Sequence, residues 1–127
     1  MNISNIKGIV LAGGAVSNTQ LVELQSKLNV QLPRAYVQLL ETANGFSLRN
    51  GLVIYSSDEL VERNDTLEVE KYAPGYLVIG DDSGGRSIVV SYTDESVFLV
   101  DQGSMDPDDF EKISLSLSEW VSGGCAF

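Results

Sequence analysis

Three β-type runs follow one another in the second half of the chain: Tyr76–Gly80, Ser87–Tyr92 and Val97–Asp101. Each is dominated by Val, Ile, Leu and aromatic residues, the composition of strands packed in a sheet. The joints between them are short, Asp81–Arg86 and Thr93–Ser96, and both are made of turn formers. Asp, Ser and Gly favour turns for local reasons: short polar side chains bond their own backbone, and Gly accepts positive φ. Runs joined this way pair most simply in succession as antiparallel neighbours. Leu52–Tyr55 reads as a further short strand, and Phe110–Ser114 as a short edge strand.

Helices are expected on both sides of these strands. Ser17-Asn18-Thr19-Gln20 has the spacing of a capping box, in which Ser and Gln satisfy each other's backbone donors. Leu21, Leu24 and Leu28 then fall at helical spacing, which predicts a first helix over about residues 18–28. Pro33 suits the first turn of a second helix, where its missing N–H is harmless. Tyr36, Leu39, Leu40 and Ala43 form its apolar stripe, and Asn44-Gly45 supplies a left-handed stop. Ser56 and Glu59 make a second capping box, opening a helix to about Leu67 with Leu60, Val61, Asn64 and Leu67 turned inward. Pro74-Gly75 is a turn. Ser116 and Glu119 open a final short helix carrying Leu117, Trp120 and Val121.

The resulting order is α, α, β, α, β, β, β, α. Strands gathered in the middle and flanked by helices predict an α+β fold with a central antiparallel sheet, not a doubly wound one. A chain of 127 residues, 43% hydrophobic and 20% charged, is long enough for a proper core without staples and is expected to form one domain over residues 1–127.

Charge is distributed unevenly. The net value is −10, of which residues 1–50 contribute +2 and residues 51–127 contribute −12. Such a field repels nucleic acid and anionic membrane and attracts a basic partner. The N-terminal run Ile9–Val16 is too short, too broken by Gly and too poorly preceded by positive charge for a secretory signal. The chain is therefore expected to stay in the cytoplasm with its N-terminus retained. One cysteine, Cys125, excludes an internal disulfide and reads as a free thiol near a frayed terminus.

Catalysis has little to stand on. There is no histidine, which removes Ser-His-Asp and Cys-His chemistry and the commonest transition-metal ligand. No metal site and no cofactor are expected. Lys7–Gly14 has the look of a Gly-rich phosphate loop, but a lone Gly-rich stretch is weak and no Arg follows until Arg34, so it reads as a packed N-terminal segment. Gly80–Arg86 reads first as a turn, and loops on a rigid sheet also carry function. Its aspartates lack the alternating spacing of a calcium loop. The densest acidic run, Asp106-Pro107-Asp108-Asp109-Phe110-Glu111, follows Asp101 and reads either as a solvated loop or as a landing strip for a basic partner. Trp120 reads as core.

An ordered set of signatures runs through the chain: Leu32-Pro33, Tyr36, Leu39, Leu40, Asn44-Gly45, then Tyr72-Ala73-Pro74-Gly75 leading into the first long strand and Gly80-Asp81-Asp82-Ser83-Gly84-Gly85, and finally Glu119-Trp120-Val121. In order and spacing it resembles the SUKH superfamily of Smi/Knr-like domains over about residues 17–122. One departure is Phe46, where the family often has a second glycine after Asn-Gly. The resemblance implies the SUKH fold and a non-enzymatic binding role. Many bacterial members are immunity proteins that neutralise toxins; the fungal relatives imply the alternative of an intracellular scaffold or regulator related to cell-wall-associated proteins. The implied partner is a cognate protein toxin, a nuclease or other basic enzyme, occluded by an acidic surface. The residues expected to form that surface are Asp81, Asp82, Asp101, Asp106, Asp108, Asp109 and Glu111.

Overall fold

In the computed structural model, which describes residues 1–127, the second half of the chain forms the long strands β4 (Tyr76–Asp81), β5 (Arg86–Ser91) and β6 (Val97–Asp101). They pair antiparallel in sequence order, with Val78 opposite Val89 and Val89 opposite Phe98. Consecutive residues of β4 and β5 are buried, so both faces of the sheet centre are covered. The sheet continues outward on both sides. β7 (Glu111–Ser114) lies beyond β6, and β3 (Val53–Ile54), β2 (Phe46–Leu48) and β1 (Ile9–Ala12) lie beyond β4. All seven strands are antiparallel to their neighbours, in the order β1 to β7. The α+β class and the antiparallel sheet expected from the sequence are both present.

The helices begin where the caps indicate. α1 (Asn18–Leu28) opens on the Ser17/Gln20 capping box and stops at Asn29, whose φ of 54° is the left-handed terminator. α2 (Arg34–Thr42) follows Pro33 and buries Tyr36, Leu39 and Leu40. Proline offers no capping side chain. Glu95, in the β5–β6 turn sixty residues away, accepts the Ala35 N–H at 2.8 Å instead. α3 (Ser57–Thr66) opens on the Ser56/Glu59 box, and α5 (Leu117–Ser122) on Ser116, whose hydroxyl accepts from the Glu119 N–H. A short helix, α4 (Val69–Tyr72), joins α3 to β4. A core of 32 buried residues unites these elements.

The structure corrects several local expectations. Asn44-Gly45 is not the stop of α2, since the helix ends at Thr42 with Ala43 extended. Gly45, at φ 85°, instead turns the chain into β2, so Phe46 is the first, buried residue of a strand. The N-terminal Gly-rich run is a strand and its exit. The Gly13 N–H donates to Gly45 O and the Asn44 N–H to Gly14 O, both at 2.8 Å. A Cβ on Gly13 would stand 2.3 Å from Asn44 O, so glycine is needed for close backbone approach. Cys125 is fully buried, not frayed: its N–H donates to Trp120 O, while the Trp120 indole donates to Ala126 O. Burial pushes its thiol from an ordinary value near 9 up to about 12.

Asn64 ties α3 to the sheet. β3 is only two residues long, so Val78 in β4 extends beyond it. The Asn64 amide closes that gap, donating to Val78 O at 2.8 Å and accepting from the Val78 N–H at 2.9 Å. A side chain here stands in for a missing strand partner.

Candidate functional site

In a sheet that runs in sequence order, alternate connections emerge at the same end. Val53, the first residue of β3, faces Asp81 at the end of β4. Arg86 at the start of β5 faces Asp101 at the end of β6, and Leu99 faces Glu111 at the start of β7. The β2–β3, β4–β5 and β6–β7 connections therefore share one end of the sheet. They are also tied laterally. Ser83 Oγ donates to Gly51 O at 2.6 Å, and the Gln102 N–H donates to Gly85 O at 2.8 Å. All seven carboxylates singled out from the sequence lie at this end; Lys7, Arg49, Arg86 and Lys112 are basic residues there, and Lys71 reaches the nearby Tyr72 ring.

They divide by what they do. Asp81 is half-buried and accepts the Tyr55 hydroxyl at 2.6 Å and the Ser83 N–H at 2.9 Å. Burial first, and then the bond to Asp81, pushes the Tyr55 hydroxyl well above its usual range. Asp82 organises the β4–β5 turn from within. Its side chain is 7% exposed, and it accepts from the Gly84 and Arg86 N–H groups and from the Arg86 guanidinium at 2.8 Å. Burial works against its charge. The backbone and guanidinium donors together outweigh that and hold the carboxyl below its usual range. Asp101, Asp106, Asp108, Asp109 and Glu111 are exposed. Asp101 accepts from the Gly103 N–H at 2.8 Å, and Asp106 caps the 3-10 turn Pro107–Asp109 through the Asp108 N–H at 3.0 Å. Asp109 accepts the Ser104 hydroxyl. These short local bonds fix the loop while leaving carboxylate oxygens facing water.

No group of three or more Cys, Asp or Glu side chains converges as metal ligands would. Preorganised exposed charge can attract, orient and cover a cationic surface.

A second acidic surface was not anticipated. Glu23 on α1 and Asp58, Glu62 and Asp65 on α3 line a groove of about 420 Å³ in which Lys27 is the basic residue. The signal was in the sequence: positions 58, 62 and 65 recur at helical spacing, so they share one face. The same helix buries Leu60 and Asn64 on its other side.

The sequence pattern of the SMI1/KNR4 family (SUKH-1) matches residues 15–123, from the residues before α1 to the end of α5. The chain belongs to that family. It is also 30% identical over 73 residues to the uncharacterized protein YnaB of Bacillus subtilis (strain 168), an alignment covering 58% of this chain and 49% of that one. The chain thus spans about half the length of the curated relative it matches. No helix of this SUKH-1 protein is long and apolar enough to cross a membrane.

Proposed function

We propose that this chain is a non-enzymatic binding protein, an immunity protein that neutralises a cognate basic toxin in the cytoplasm by covering it with the acidic end of the sheet. The observation that carries the reading is the convergence at that end of seven carboxylates from two segments, Asp81-Asp82 and Asp101 to Glu111, five of them exposed. Membership in the SUKH-1 family supports a binding role. A net charge of −10 disfavours nucleic acid and anionic lipid as partners and favours a cationic protein.

The test begins with the partner that co-purifies from the native host, identified by mass. Association is then measured against salt. Exposed charges are screened beyond roughly 10 Å at 0.1 M ionic strength, so the on-rate falls steeply as salt rises. Changing Asp106, Asp108 and Asp109 together to Asn slows association and leaves the melting temperature nearly unchanged, since exposed charges contribute little to folding. An on-rate indifferent to salt, or a triple variant that associates normally, overturns the reading.

A further inference from the structure

The β6–β7 loop borders a groove. Between it and the α3–α4 corner lies a cleft of about 570 Å³ lined by Leu67, Tyr72, Gln102, Gly103, Met105 and Asp106. Half of its lining residues are apolar: Met105 is buried, Leu67 is half-buried, and Tyr72 leaves 52% of its surface in water. A large aromatic left this exposed beside an acidic loop is the kind of residue that anchors protein interfaces.

The ring already receives a cation. Lys71 Nζ stands 5.1 Å from the Tyr72 centroid, and its other ionic contact is a loose, exposed pair with Glu68 at 3.7 Å. Asp106 spends Oδ1 on the Asp108 N–H and keeps Oδ2 free. An aromatic face, the apolar side chains of Leu67 and Met105 and a free carboxylate together match a guanidinium better than an ammonium. The guanidinium is planar, weakly hydrated and able to stack and fork at once, whereas an ammonium holds its water tightly.

We propose that this groove is the anchor pocket for an arginine side chain of the basic protein partner. The stem lies on Leu67 and Met105, and the guanidinium sits between the Tyr72 ring and Asp106. The identity of the partner rests on the reading of the acidic end given above. The division of labour is new: the loop carboxylates steer the partner in, and the groove slows its departure.

The test uses isotope-labelled protein and two neutral-ended peptides, acetyl-Gly-Arg-Gly-amide and its isostere with citrulline in place of arginine. The arginine peptide shifts the backbone amides of Tyr72, Gln102, Gly103 and Asp106 saturably, and the citrulline peptide binds several-fold more weakly. Tyr72→Phe binds like the parent because the ring face remains. Tyr72→Leu weakens binding about two- to fivefold, the size of an exposed cation–π contact. Asp106→Asn weakens it while keeping the cap, since Asn serves at that position. Lys71→Met strengthens it by removing the resident cation. Equal binding of citrulline, an unaffected Tyr72→Leu variant, or shifts confined to the Asp81–Arg86 loop overturns the proposal. The two readings fail separately. An arginine peptide seated in the groove alongside a partner whose on-rate ignores salt sinks the acidic-end reading alone. A peptide that ignores the groove while the loop triple variant slows the partner sinks the groove alone.

Discussion

Replacing Asn64 by leucine removes both partners of the Val78 main chain at once. Val78 is fully buried, so no solvent reaches the freed N–H and C=O. A buried polar group left unpaired costs about 1–3 kcal/mol. Two such groups, partly offset by the added apolar side chain, give a loss of about 3 kcal/mol. The entropy of unfolding near the midpoint is about 2.1 cal/mol/K per residue, or about 0.27 kcal/mol/K for a chain of this length, so the melting temperature falls by about 11 °C. Urea unfolding read by the fluorescence of the single, buried Trp120 measures the change. The midpoint shifts while the slope against denaturant stays constant, because the same surface is exposed on unfolding. Exchange of the Val78 amide also accelerates beyond that of its β4 neighbours. A loss below about 1 kcal/mol refutes the argument, because it means the Val78 groups find other partners when the amide is gone.

Two further outcomes are expected. A Cβ on Gly80 would stand 2.3 Å from Val53 O, so Gly80→Ala forces the β3–β4 pair apart and costs about 3 kcal/mol; Gly14→Ala, where nothing lies within 4 Å, changes urea stability by less than about 0.5 kcal/mol, and equal effects would refute the close-approach argument. The stability contributed by the buried thiol and phenols is full below about pH 9 and declines as pH rises toward 12, because burial raises Cys125 and Tyr92 to about 12 and lifts Tyr36 and Tyr55 further, so the native state holds protons that the unfolded chain releases; urea midpoints that do not fall between pH 9 and 11 would contradict it, and Cys125→Ala flattens the first part of the decline.

What the sequence revealed of the fold followed how much burial each element carries. β4, β5 and β6 have long apolar runs because the sheet is covered on both faces there, and such runs stand out. β1 and β2 do not. β2 is three residues with a serine in its centre, and β1 leaves Val10 and Leu11 65% and 71% exposed on an edge. Neither offers a period to read. α1, α3 and α5 announced themselves by Ser caps, because capping is local chemistry between residues three apart. α4 had no such signal: its N-cap is Glu68 in a left-handed conformation at φ 52°, without a side-chain cap bond. The Ser-Gly-Gly tail looked loose because its anchors, the Trp120 indole on Ala126 O and the buried Cys125, are tertiary.

The candidate site was legible to the same extent as the strand order. Asp81-Asp82 and Asp106–Glu111 are separated by more than twenty residues, yet the chain between them is two strands and one tight turn, so it reverses and returns to the same end. Successive antiparallel pairing of the three central runs therefore already implied that these acidic segments meet. What it could not imply was which carboxylates face outward. Asp82 and Asp106 are both loop aspartates followed by turn residues, but Asp82 is enclosed by the Gly84 and Arg86 donors while Asp106 spends one oxygen and keeps the other. That difference is a matter of loop geometry, and it decides which charges a partner can reach. The Tyr72 groove lay further out of sight, because one wall is α4, which the sequence did not signal, and the other is the loop that α4 meets only in three dimensions. Strand order alone can thus bring acidic segments to one end of a sheet, whereas a groove depends on how two unrelated segments pack, and it becomes visible only with the fold.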